Sequence, residues 1–103
     1  MAAIPTLPID LPLDRIADFC RRNHIRRMSL FGSILRDDFT LESDIDVLVE
    51  FEEGKTPGLA FFGMGDDLEE IVGRKVDFLT KEFLSPRWMD QALTAAVDIY
   101  VAA

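Results

Sequence analysis

The order of apolar patterns along this chain (helix, strand, short helix, strand, helix, strand, helix, with a candidate closing strand) predicts an α/β or α+β domain. Three observations carry the prediction. The chain has 103 residues, enough for one compact core and too few for two. Strand-type stretches, "IRRMSLF", "DIDVLVEF" and "KVDFLT", are separated by segments of helical periodicity. Apolar residues make up 49% of the chain without any low-complexity tract, so residues 10–103 read as one folded domain and residues 1–9 as a flexible N-terminal segment.

Asp10 and Pro12 open the first helix, Leu13, Ile16, Ala17 and Cys20 form its apolar stripe, and Asn23 or His24 closes it. The strand Ile25 to Phe31 sets Met28 and Leu30 against Ser29 and Phe31 and ends at Gly32. Gly32 and Ser33 are therefore a strand-to-helix turn, with a short helix to about Asp37. After a polar loop, Ile45, Val47, Val49 and Phe51 share one face of the next strand, and Asp44, Asp46, Leu48 and Glu50 the other. Leu59 to Val72 reads as a helix offering Phe62, Met64, Leu68, Ile71 and Val72 to the core, with Gly73 as its stop. In the third strand Asp77 points opposite to Val76 and Phe78. Ser85 and Pro86 have N-cap and first-turn chemistry for a last helix to about Ala95, and "VDIYV" suits a short edge strand.

The formal charge of −8 argues against a general nucleic-acid binder. It is unevenly spread: residues 1–36 carry +3 and residues 37–103 carry −11. Arg15, Arg21, Arg22, Arg26 and Arg27 read as a solvated face or, more sharply, as a docking patch for an acidic partner or an RNA. Cys20 has no partner for an internal disulfide and sits on an apolar stripe, which fits a packed, reduced thiol and a cytoplasmic protein. No run approaches the roughly 18 apolar residues of a membrane span, and Met1 to Pro8 lacks a basic signal start, so no membrane association is expected.

The chemistry concentrates in "SLFGSILRDDFTLESDIDVLVEF". Residues two apart in a strand share a face about 6.5–7 Å from one another, so Asp44 and Asp46 can converge on one point. Two such carboxylates are compensated by a hard divalent cation with oxygen ligands, typically Mg²⁺. If the third strand lies beside the second, Asp77 joins them in a site for two Mg²⁺ ions roughly 4 Å apart. The Gly32–Ser33 turn suits a phosphate: glycine lets the backbone approach, the following N–H groups point at an anion, and the Ser33 hydroxyl and Arg36 add a donor and a charge. His24 has no partner at metal-ligand spacing and is expected at the surface. Phe61, Phe62 and Met64 read as a core cluster, part of which can face a partner, and Trp88, Met89 and Leu93 suit core packing or a subunit contact.

"LFGSILRDDFTLESDIDVLVEF" resembles the signature of the DNA polymerase β-like nucleotidyltransferases in their minimal (MNT) form, and the likeness continues through "GRKVDFLT" and "LSPRWMDQALTAAVDIY". The resemblance implies a small mixed sheet flanked by helices, with Asp44, Asp46 and Asp77 as catalytic, metal-binding carboxylates and Gly32 and Ser33 at the nucleotide phosphates. Minimal members often read Gly-Ser-Arg-x-Arg-Gly. This chain keeps Arg36 but has Ile34 and Asp37 at the first Arg and second Gly, one positive charge fewer and one carboxylate more.

The implied reaction is Mg²⁺-dependent transfer of AMP from ATP to a hydroxyl. A chain this short has no room for domains that hold template or tRNA, so a large nucleic-acid substrate is not expected. Minimal MNT proteins resemble the antitoxin half of HEPN/MNT toxin–antitoxin pairs, which makes a HEPN-type toxin the expected partner and its adenylylation the expected activity. The alternatives are an antitoxin that neutralises its partner by binding alone, and transfer to a small molecule such as an aminoglycoside. Homo-oligomerisation stays open.

Overall fold

The computed structural model describes residues 10–35, 39–40, 42–80 and 95–102, apart from the Ser33 side chain. The segment 1–9, Arg36, Asp37 and the last helix expected from Ser85 lie outside these residues. The elements are α1 (Leu13–Arg22), β1 (Ile25–Phe31), a 3₁₀ turn (Gly32–Leu35), β2 (Ile45–Phe51), α2 (Phe61–Val72), β3 (Val76–Leu79) and β4 (Val97–Val101).

The four strands form one mixed sheet in the order β3-β2-β1-β4. β1 pairs antiparallel with both β2 and β4, and β2 pairs parallel with β3. The connection that carries α2 is what parallel pairing requires, since a tight hairpin can only return a strand antiparallel. The small mixed sheet with helices and the edge strand "VDIYV" agree with the sequence reading.

One face of the sheet is sealed by the helices. Ile16, Phe19 and Cys20 of α1 and Met64 and Leu68 of α2 are buried with Met28, Leu30, Ile45, Val47 and Val49 in a single cluster. Ile34 of the 3₁₀ turn joins that cluster, which anchors the turn to the core. Ser29 and Leu48 are also buried, although both belong to the other face by alternation. β1 and β2 are interior strands and are covered more fully than a period of two implies.

α1 departs from the expected stripe: Phe19 is buried and Leu13 is 39% exposed. Its end follows the expectation, with Asn23 as C-cap, its side-chain Nδ2 donating to the Phe19 carbonyl, and His24 in the left-handed region at φ 57°. α2 begins two residues later than expected and ends at Gly73, whose φ of 73° is the left-handed cap glycine accommodates.

The largest correction concerns Phe62, which is 71% exposed, while Phe61 packs at 5.2 Å from the Phe78 ring and 6.4 Å from that of Phe51. Residues 61, 64, 68, 71 and 72 keep the helical spacing of one face, whereas Phe62 is in line with Asp66 and Glu69. The arginines agree with the solvated-face reading: Arg15, Arg21, Arg22, Arg26 and Arg27 are all exposed, and three of them lie beside acids. Arg22 pairs with Asp18, Arg26 with Glu50, and Arg27 lies 3.9 Å from both Glu50 and Asp98.

Candidate functional site

The site is built at one end of the sheet, where β1 finishes and β2 and β3 begin. Cross-strand register puts Phe31 opposite Asp46 and Asp46 opposite Asp77. Asp44 immediately precedes β2 and is exposed, Asp46 is half-buried, and Asp77 is exposed. Strand spacing of about 4.8 Å makes Asp46 and Asp77 direct neighbours on one face. That face is set by the residues that alternate with them. Phe78 is held on the helix side by the rings of Phe61 and Phe19, so Asp77 projects the other way.

Gly32 closes the site from the β1 side. Its φ of 78° is left-handed, and a Cβ placed on it would fall onto Asp46 Oδ2. Both facts require glycine here: the turn needs the conformation, and the Asp46 carboxylate occupies the space of a side chain. The expected helix after this turn is one 3₁₀ segment, Gly32–Leu35. It contains Ser33, whose hydroxyl, like Arg36, lies outside the described residues.

The loop entering β2 is internally bonded. The Thr40 N–H donates to Ser43 Oγ at 3.0 Å, and the Ser43 N–H donates back to the Thr40 carbonyl at 3.1 Å. Arg74, at the start of the segment leading to β3, donates from Nη2 to the Thr40 carbonyl at 2.8 Å and the Ser43 carbonyl at 3.1 Å. Arg74 was not singled out from the sequence. The signal available was its place three residues before Asp77.

The donor chemistry of Asp44, Asp46 and Asp77, oxygen only and anionic, fits a hard cation such as Mg²⁺. Among the described residues, however, no three His, Cys, Asp or Glu side chains converge closely enough to hold an ion. The backbone brings two of the three carboxylates abreast and leaves Asp44 at the adjoining loop.

Three other features are separate from this site. A hollow of about 170 Å³ is lined by Arg27, Ser29, Leu48, Val49, Glu50, Ala96 and Asp98 and includes none of the predicted site residues. Cys20 is fully buried, and that burial pushes its thiol up to about 12, against a smaller opposing effect of the Arg21 charge. His24 is half-exposed at the surface, as expected, with Nδ1 3.4 Å from Glu52.

Residues 13–99 match the family model described as a nucleotidyltransferase domain. The chain belongs to this family. It is 39% identical over 85 residues, 82% of its own length and 90% of the relative's, to a Methanocaldococcus jannaschii protein named "Putative protein adenylyltransferase". It is 38% identical over 61 residues to the protein adenylyltransferase MntA of Thermococcus cleftensis, covering 58% of this chain and 60% of that one.

Solved structures agree. The nucleotidyltransferase domain matches one described as "putative minimal nucleotidyltransferase" with TM-score 0.67 and 34% identity, over 82% of this chain and 86% of that one. A toxin–antitoxin structure with AMP-PNP matches with TM-score 0.72 and 21% identity, over 89% and 75% of the two chains. A Shewanella oneidensis tri-AMPylated HEPN toxin in complex with its MNT antitoxin matches with TM-score 0.64 and 20% identity, over 87% and 70%. The last two likenesses show a shared fold. Nucleotidyl transfer is the activity class of this domain, and among its described residues no helix is long and apolar enough to cross a membrane.

Proposed function

We propose that this nucleotidyltransferase domain transfers AMP from Mg-ATP to a side-chain hydroxyl on a HEPN-type toxin partner, and so acts as the antitoxin of the pair. The observation that carries the reading is the sheet end itself. Asp46 stands abreast of Asp77 and its carboxylate lies against the backbone of a left-handed Gly32. Similarity to proteins named protein adenylyltransferases, and a fold shared with MNT antitoxins in complex with HEPN toxins, favour a protein acceptor.

In this reading the acceptor oxygen attacks the α-phosphorus in line, the bond from that phosphorus to the bridging oxygen breaks, and pyrophosphate leaves. Asp44, Asp46 and Asp77 would hold Mg²⁺ at this end of the sheet. Bound there, Mg²⁺ would lower the pKa of the hydroxyl and offset charge on the leaving group. Asp77, exposed on β3, accepts the hydroxyl proton. Backbone N–H groups of the Gly32–Leu35 turn, with Ser33 and Arg36, hold the β- and γ-phosphates. The domain's work is positioning and neutralisation of charge.

The test mixes the protein, Mg-ATP and the co-encoded neighbouring protein and weighs both chains intact. Adenylate additions on the neighbour that vanish with Asp44→Asn, Asp46→Asn support the proposal. Absence of any addition, with toxicity still suppressed by the double variant, replaces it with neutralisation by binding. That second reading draws on Leu59 and Phe62, which stand 86% and 71% exposed where a partner surface can cover them.

A further inference from the structure

We infer that Arg74 is a positioning residue that sets the loop carrying Asp44 against the strand carrying Asp77; the inference rests on reading this end of the sheet as the nucleotidyl-transfer site. Asp77 stands in a regular strand, whereas Asp44 stands in the last loop position before β2 and has no ladder partner in the β2–β3 register, which begins at Ile45 and Val76. Something other than β pairing must hold the residues before it.

Arg74 does so from the other strand. One guanidinium nitrogen bridges the carbonyls of Thr40 and Ser43, and the guanidinium carbon lies 4.7 Å from the centroid of the Phe39 ring. The hydrogen bonds grip backbone, so they fix where the chain enters Asp44, and the cation–π contact adds a third point of hold on the same loop.

The clamp has a rigid base. The Gly73 N–H is bonded to the Glu69 carbonyl at 2.8 Å, Val76 N–H donates to Glu69 Oε2 at 2.9 Å, and Ile45 N–H donates to the Lys75 carbonyl at 2.9 Å. Residues 73–76 are therefore tied to α2 on one side and to β2 on the other. Arg74 projects from between these ties to the Thr40–Ser43 turn, which is itself closed by reciprocal bonds between Thr40 and Ser43. A planar fork suits two carbonyls and an aromatic face at once; a lysine ammonium has the charge without the stacking plane.

The experiment uses the full chain and three variants, Arg74→Ala, Arg74→Lys and Phe39→Leu. It reads amide hydrogen exchange at Ser43 and Val49, Mn²⁺ binding by electron paramagnetic resonance, and AMP transfer. Arg74→Ala is expected to speed exchange at Ser43 while leaving Val49, in the β1–β2 ladder, protected. Mn²⁺ affinity should fall about tenfold, as when other outer supports of metal ligands are removed. Turnover should fall by about tenfold or more with the KM for ATP within twofold, since the loss is one of placement. Arg74→Lys and Phe39→Leu should fall between wild type and Arg74→Ala, and they carry the test if Arg74→Ala does not fold.

Unchanged exchange at Ser43 overturns the inference, because the clamp then does not hold the loop. Faster exchange with unchanged Mn²⁺ affinity overturns it too, because the hold does not reach Asp44. If wild type binds Mn²⁺ and transfers no AMP, the proposed reaction fails, while weaker Mn²⁺ binding in Arg74→Ala still supports the positioning role. Failure of wild type to bind Mn²⁺ overturns both.

Discussion

The two ends of the sheet treat charge in opposite ways. At the end where β1 begins, Arg27 stands opposite Glu50 in the ladder, Arg26 donates to Glu50, and Arg27 also approaches Asp98 on β4. Each acid there has a base on a neighbouring strand. At the end where β2 and β3 begin, the residue opposite Asp46 on β3 is another carboxylate, Asp77. Like charges directly opposite destabilise a ladder, and opposite charges stabilise it, by amounts of about 0.2–1 kcal/mol. One end is thus arranged as stability alone would arrange it, and the other sets two carboxylates abreast, an arrangement that a bound cation would favour. The difference is a physical ground, independent of any relative, for proposing this end of the sheet as the site.

The comparison breaks most completely at Asp44 and Asp46. Asp44→Asn, Asp46→Asn should lower AMP transfer by about a thousandfold or more, as removal of charge-stabilising groups does in other enzymes, with the melting temperature at or above that of wild type. A double variant that loses its fold instead would show that these carboxylates are structural. Gly32→Ala should damage both properties, since it forces a side chain into a left-handed turn and onto Asp46. A loss of about 1–3 kcal/mol in urea unfolding, together with loss of activity, is expected.

Effects on stability, smaller in size, sharpen the contrast. Asp77→Asn should abolish or sharply reduce transfer and yet raise stability by about 0.2–1 kcal/mol, because it removes a like-charge neighbour; lower stability would contradict the account of that end. At the other end Arg26→Ala should cost at most about 1 kcal/mol and leave transfer unchanged, its pair with Glu50 being partly exposed. Cys20 then reports whether any variant has loosened the core. Its buried thiol, pushed up to about 12 from 9.0, should resist iodoacetamide in every folded variant. Because the folded value is the higher one, its contribution to stability is complete below about pH 9 and falls as pH rises towards 12.

Much of this arrangement was legible in the chain. "IRRMSLF" and "DIDVLVEF" alternate clearly enough to place both interior strands within a residue, and Gly32 and Gly73 mark turns for which glycine has a physical reason. Phe62 was misread although its signal was present, because an adjacent pair of phenylalanines hides which one follows the stripe of Met64 and Leu68. Other features were not legible from local pattern. The Arg27–Asp98 approach joins residues 71 positions apart, and Arg74 reaches Thr40 across 34, separations that no periodicity encodes.

The sequence by itself determined which side chains share a face, where the chain turns, and that two carboxylates begin one strand, because those properties follow from backbone geometry over a few residues. Only the tertiary structure decided that β3 lies parallel beside β2 in the register that sets Asp77 against Asp46. It alone placed Asp46 against Gly32 and turned Arg26 and Arg27 into cross-strand partners of acids. Alternation states which way a residue points and is silent on what stands beside it; the neighbour is chosen by the crossover through α2 and by the burial of Phe61 and Phe78 that this crossover permits.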